Sequence, residues 1–129
     1  MNGLTRIVPL LLLILQVTAL SANEEFPART LFPKVATIEV TELHSRRDEM
    51  LIVDVRSSYE YETLHIKNAR HLALDDGDFI TTLQQWREND PRPLVFYCNG
   101  HTCKKSYKAA QKAQKDGIDK VSVSYTHLR

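Results

Sequence analysis

Five short runs of apolar and β-branched residues punctuate the chain, at positions 37–40, 50–55, 69–74, 94–97 and 120–125. Each is too short for a helix and is bounded by turn-forming or charged residues, so each predicts a strand. The run at 50–55 is almost continuously apolar, the pattern of a central parallel strand buried on both faces. Between the runs the spacing changes to that of helices. Thr41 is positioned to cap a short helix over 41–47 that turns Leu43 inward. Ser57, with Glu60 three positions on, forms a capping-box pattern that predicts a helix over 58–64. The turn Asp75-Asp76-Gly77-Asp78 ends in a residue able to cap a helix over 79–87, where Phe79, Leu83 and Trp86 fall on one core-facing stripe. A loop at 88–93 precedes the fourth strand. Beyond it, Lys104, Lys108, Lys112 and Lys115 recur on the solvated face of a helix whose other face carries Ala110 and Ala113, and Asp116-Gly117 stops it. Strands alternating with helices predict an α/β domain with a mainly parallel sheet and a ligand site beyond the carboxyl ends of the strands.

The first residues follow a different pattern. Met1 to Arg6 carries a positive charge, residues 7–19 are almost wholly apolar, and the small residues Ala19, Ser21 and Ala22 precede Asn23-Glu24-Glu25. This predicts a signal peptide over 1–22 and an exported protein of the bacterial periplasm, with no membrane span once the signal is cleaved. An uncleaved anchor is the alternative, although the apolar run is short for a span of about 20 residues. Residues 23–35, interrupted by Pro27 and Pro33, read as a tether or wrapping segment, and 36–125 as the domain. At 129 residues, 43% hydrophobic and 26% charged, the chain has room for one small domain with a real core. Seventeen basic and 16 acidic residues leave a formal charge of +1, which points to neither nucleic acid nor an anionic membrane as partner.

The candidate chemistry lies where the fourth strand ends. Residues 94–97 deliver Cys98 into Asn99-Gly100-His101-Thr102-Cys103, and Lys104 and Lys105 lead into the next helix. A thiol facing a helix N-terminus meets unpaired backbone N–H groups and the positive end of the dipole. Free cysteine has a pKa of about 8.5, and such surroundings lower it to roughly 3.5–7.5. Cys98 is therefore the candidate nucleophile, and Lys104 and Lys105 are candidates for attracting an anion. Cys98 and Cys103 are the only cysteines, so an intramolecular disulfide must join them. Three roles for Cys103 stand open: a redox partner that attacks sulfur carried by Cys98, half of a structural disulfide, or a residue that only packs in the first helical turn. Cys98, His101 and Cys103 fall short of the four ligands zinc takes, so no metal is expected, and no cofactor is implied. His101 reads as a solvated loop residue.

Asp54-Val55-Arg56, Glu60-Tyr61, His65-Ile66-Lys67-Asn68-Ala69, Leu72 and the strand-borne Cys98 before a helix resemble, in that order, the rhodanese-like domain. Members of that family carry sulfane sulfur on a cysteine. The resemblance covers about 36–121. It implies a three-layer α/β fold with a mainly parallel central sheet flanked by helices. It also implies sulfurtransferase chemistry, with Cys98 taking sulfur from a small anion such as thiosulfate and passing it to a thiol or other thiophilic acceptor. Asn99, Gly100, His101, Thr102, Cys103, Lys104 and Lys105 would form the substrate-binding loop, Asp54 and Arg56 would support it from behind, and His65 would be structural.

The chain departs from the family pattern in four places. Leu64 and Asn68 stand where the family commonly has glycine, and of the two only Asn68 tolerates a left-handed backbone. Ser106 follows Cys98 by eight positions, where the usual serine follows by six. Related phosphatases and arsenate reductases use Cys-x5-Arg, but Lys104 at that spacing cannot form the bidentate fork that holds a tetrahedral oxyanion. The chain also ends before the family's glycine-rich turn and closing helix, which predicts a truncated C-terminus with 126–129 a tail of doubtful origin. A thiol-disulfide redox protein using Cys98 and Cys103, and a non-catalytic binding module on the same fold, are the alternatives to sulfur transfer.

Overall fold

A computed structural model of the chain describes residues 27–100 and 102–125. The expected signal peptide, residues 23–26 of the expected tether, His101 and the tail at 126–129 lie outside the described residues. Five strands, β1 (Ala36–Ile38), β2 (Leu51–Asp54), β3 (Arg70–His71), β4 (Leu94–Tyr97) and β5 (Val121–Ser124), form one sheet in the order β1-β5-β4-β2-β3. Every pairing is parallel. The central strands β2 and β4 are buried along their whole length, as their unbroken apolar runs require.

Among the described residues four α-helices accompany the sheet: α1 (Val40–Ser45), α2 (Ser58–Thr63), α3 (Phe79–Asn89) and α4 (Lys105–Lys115). The period-2 alternation of the strands divides the core in two. Leu51, Val53, Leu94 and Phe96 point to one face, where they meet Phe79 and Leu83 of α3 and Ala109, Ala110 and Ala113 of α4. Ile52, Val95 and Tyr97 point to the other and pack with Leu43 of α1, Met50 and Ala69. The alanines of α4 let its backbone approach the sheet closely. Lys104, Lys108, Lys112 and Lys115 are exposed, as their spacing predicts.

Local starts and stops differ from the sequence expectations where backbone geometry overrides residue preference. Helix α1 begins one residue before Thr41, with extended Glu39 at its cap position and no side-chain cap bond. Strand β1 consequently ends at Ile38, and Thr41 lies within the helix. Asp78 does occupy the cap position of α3, but with φ −94° and ψ 14° it makes no side-chain cap bond. The third strand shrinks to two ladder residues. Leu72 and Leu74 still donate their N–H groups to the carbonyls of Asp54 and Val55, at 3.0 and 3.2 Å, outside a regular ladder. The capping box of α2 forms as predicted: Ser57 Oγ accepts from Glu60 N at 3.3 Å, and Glu60 Oε2 accepts from Ser57 N at 3.1 Å.

From Ala28 the expected tether is packed against the domain. Ala28 and Val35 are buried, and Phe32 stacks on Tyr107 of α4 with ring centroids 5.3 Å apart. Gln114 Nε2 donates to the Lys34 carbonyl at 3.3 Å. Pro27–Thr30 forms a 3-10 turn, and Ala28 and Val35 join the core cluster on the α3–α4 side of the sheet.

Candidate active site

Cys98 is the first residue beyond β4, at the carboxyl end of the strand, and is 3% exposed. Its position continues the strand alternation, so its side chain joins the α3–α4 side of the core. Ser106, the second residue of α4, directs both its backbone N–H and its hydroxyl to Cys98 Sγ, each at 3.4 Å. A backbone N–H that would lack a partner in the first helical turn is thereby satisfied by sulfur. Cys98 and Cys103 are joined in a disulfide with Cα atoms 6.2 Å apart. In this oxidised state Cys98 carries no thiolate.

The loop closing this disulfide is held from below. Gly100 has φ +54°, a left-handed conformation that glycine adopts without penalty. Thr102 is exposed and Cys103 is partly buried. Lys104 takes the cap position of α4 and Lys105 is its first residue, both exposed. Asn99 is exposed, yet its amide is held at both ends: Oδ1 accepts from Arg56 Nη1 at 3.1 Å, and Nδ2 donates to Glu60. His101 lies outside the described residues.

Arg56 and Asp54 form the base. Asp54 is fully buried and Arg56 is 5% exposed; Arg56 Nε and Nη2 reach the two carboxylate oxygens at 2.9 and 2.7 Å. The bidentate fork keeps the guanidinium charged, and Arg56 titrates above its ordinary value because hydrogen bonding to Asp54 outweighs burial. Arg56 Nη2 also donates to the Leu64 carbonyl at 2.6 Å. Tyr97, at the end of β4 and opposite Asp54 in the register, donates its hydroxyl to Asp54 Oδ2 at 2.7 Å and accepts from Ile66 N at 3.1 Å. Burial, then the bond to Asp54, raises the Tyr97 hydroxyl above its usual pKa, so it remains a donor. The bonds run without a break from Tyr97 through Asp54, Arg56 and Asn99 to Glu60 and Ser57, and they tie the residue after Cys98 to β2, β4 and α2.

Glu60 is held down to about 2 from an ordinary 4.5, first by the Ser57 side chain and then by Asn99. A depressed carboxylate stabilises the fold fully above its unfolded value and loses that contribution as pH falls from about 4.5 through about 2. Replacing Glu60 with Gln is expected to flatten the acid limb of a stability–pH profile over that interval. Asp90, held at about 2 mainly by Arg92, continues to contribute to that limb. An unchanged slope in the variant would count against Glu60 as the link between α2 and the loop.

A family model described as Rhodanese-like domain matches residues 39–125. The chain belongs to the rhodanese-like domain family. Its five-stranded parallel sheet with flanking helices is the rhodanese-like α/β fold. The human single-domain sulfurtransferase TSTD1 superposes with a TM-score of 0.58 at 22% identity, over 74% of this chain and 93% of that one. The BH2092 protein of Bacillus halodurans gives 0.62 at 22% identity, over 79% and 75%. A Rhodopseudomonas palustris protein, RPA3614, described as of unknown function and a possible tyrosine phosphatase, gives 0.61 at 21%, over 89% and 91%. These likenesses are of fold. No curated protein matches the chain.

Two departures from the rhodanese-like pattern are accommodated by the backbone. Leu64 is extended, with φ −163° and ψ 124°, and the network uses only its carbonyl, so no glycine is required there. Asn68 takes the left-handed conformation, with φ 68°, as its side chain permits. His65 stacks on Tyr61 with centroids 3.9 Å apart, and its Nδ1 lies 2.7 Å from the Tyr61 carbonyl, a structural placement. The sequence reading missed the parts of Tyr97 and Ser106. The usable signals were a tyrosine hydroxyl at the end of an otherwise apolar strand and a serine in the helical turn that faces the thiol. At the other end of the sheet, Arg47, Lys67, Arg70 and Arg92 line a groove of about 410 Å³, remote in the fold from Cys98.

Proposed function

We propose that the reduced protein is a sulfurtransferase that carries sulfane sulfur on Cys98. The observation that carries this reading is the pair of Ser106 donors aimed at Cys98 Sγ at the carboxyl end of β4. Once the disulfide is opened, those donors and the α4 dipole favour the thiolate. The thiolate attacks the outer sulfur of thiosulfate: the new bond is Cys98 sulfur to sulfane sulfur, the sulfur–sulfur bond of thiosulfate breaks, and sulfite leaves with its electron pair. Lys104 and Lys105 attract the dianion to the loop, and the Arg56–Asn99 bond keeps the loop in place. A thiol or other thiophilic acceptor then removes the sulfur. The leader expected at 1–22 and a disulfide in the loop support a site outside the cytoplasm, where disulfides persist.

The test is incubation of reduced protein with thiosulfate, followed by sulfite assay and intact-mass measurement under non-reducing conditions. One sulfite is expected per chain, and Cys98→Ser is expected to abolish it while leaving the folded spectrum unchanged. Folded, fully reduced protein that liberates no sulfite would refute sulfur transfer. The disulfide itself favours a second reading, a thiol-disulfide redox protein. On that reading the reduced pair exchanges with a protein or small-molecule disulfide and thiosulfate is inert.

A further inference from the structure

We propose that Cys103 discharges the Cys98 persulfide within the chain, releasing hydrosulfide, so that the domain works as a sulfide-releasing thiosulfate reductase driven by an external dithiol. This rests on the persulfide reading above and identifies the first acceptor of the sulfur as the chain's own second thiol.

The bond between the two cysteines carries the inference. Their sulfurs are joined while Cys98 keeps both Ser106 donors at 3.4 Å and remains at its place at the end of β4. The Cα separation of 6.2 Å lies in the usual range for bridged cysteines. Cys98 Sγ is therefore within bonding reach of Cys103 without displacement from its cradle, and in a persulfide that atom is the inner sulfur. Attack by the Cys103 thiolate there forms the Cys98–Cys103 bond, breaks the bond to the outer sulfur and expels it as hydrosulfide with the electron pair.

Burial favours the internal thiol over outside competitors. Cys98 is 3% exposed, so an external acceptor must work its way into the loop, whereas Cys103 is five positions away on the same loop. A tethered group acts at an effective concentration in the millimolar range or above. The product disulfide presents its other sulfur to reductant, because Cys103 is the less buried partner. A thiolate of an external dithiol attacks Cys103, Cys98 leaves as thiolate towards the Ser106 donors, and the second thiol of the reductant frees Cys103. Over a cycle, thiosulfate and a dithiol become sulfite, hydrogen sulfide and a disulfide, with two electrons and two protons supplied by the dithiol.

A single turnover tests this. Full-length protein is reduced, freed of reductant without exposure to air, and mixed with thiosulfate; sulfite, sulfide and intact mass are then measured. Wild type is expected to give one sulfite, one sulfide and a chain lighter by two hydrogens. Cys103→Ser and Cys103→Ala are expected to give one sulfite, no sulfide and a chain heavier by one sulfur, with sulfide appearing only when dithiothreitol is added. Wild type that releases sulfite but retains the sulfur, on either cysteine, overturns the proposal and leaves the persulfide reading standing. No sulfite from any variant overturns both.

Discussion

Sulfite release from thiosulfate is expected to fall to the uncatalysed rate when the Cys98–Cys103 bond is intact, and to return as a burst once the protein is reduced. In the disulfide Cys98 has no lone thiolate, and its sulfur is spent on Cys103. Reduction leaves that sulfur facing the N–H and hydroxyl of Ser106. An unperturbed cysteine, with pKa about 8.5, would be only a few per cent thiolate at pH 7. Donors in the first turn of α4 favour the charged form, so the midpoint of the pH–rate profile is expected below about 8.5. Stopped-flow detection of sulfite across pH, on oxidised and reduced samples in parallel, gives both readings. Equal turnover by the oxidised sample would sink the assignment of Cys98 as nucleophile.

Asp54→Ala is expected to destabilise the domain by about 3–5 kcal/mol, the range for breaking a buried ion pair by removing one partner. The variant leaves the Arg56 guanidinium buried without its carboxylate and removes the acceptor of the Tyr97 hydroxyl. Total stabilities of small domains are about 5–15 kcal/mol, so the loss approaches the whole reserve at the lower end. Urea unfolding should report a lower midpoint with an unchanged slope. Asp54→Asn keeps one acceptor and is expected to fall between. The exposed Arg46 pairs with Glu42 and Glu49 offer an internal contrast: Arg46→Ala should scarcely move the midpoint, because solvent screens that pair. If Asp54→Ala and Arg46→Ala shift the midpoint equally, the buried pair is not what anchors the end of β2.

The order of elements was legible because burial on two faces of a sheet leaves periodic apolar runs. Residues 50–55 and 94–97 announced the central strands β2 and β4, and the alanine–lysine face of α4 announced which side of that helix meets the core. Asp54 and Arg56 could be marked for the site only through family resemblance. Two charges two positions apart look the same in sequence whether they are solvated or paired in the core, and their fork depends on the bend after β2. Boundaries were less legible at α1 and β3. There the outcome depends on which neighbouring carbonyls an edge segment can reach, a matter of distance across the sheet rather than of residue preference.

By itself the sequence determined the fold class, through the alternation of strand and helix periods, and it marked Cys98 as the candidate nucleophile, because that cysteine follows a buried strand. It also limited the disulfide to a single pairing, since there are only two cysteines to join. Only the tertiary structure decided that this pair is bonded while Ser106 faces Cys98, and that Tyr97, Asp54, Arg56, Asn99 and Glu60 form one network beneath the loop. These are contacts between residues as many as 43 positions apart. Their directional hydrogen bonds exist only once parallel pairing sets β2 and β4 in register and brings Asp54 opposite Tyr97.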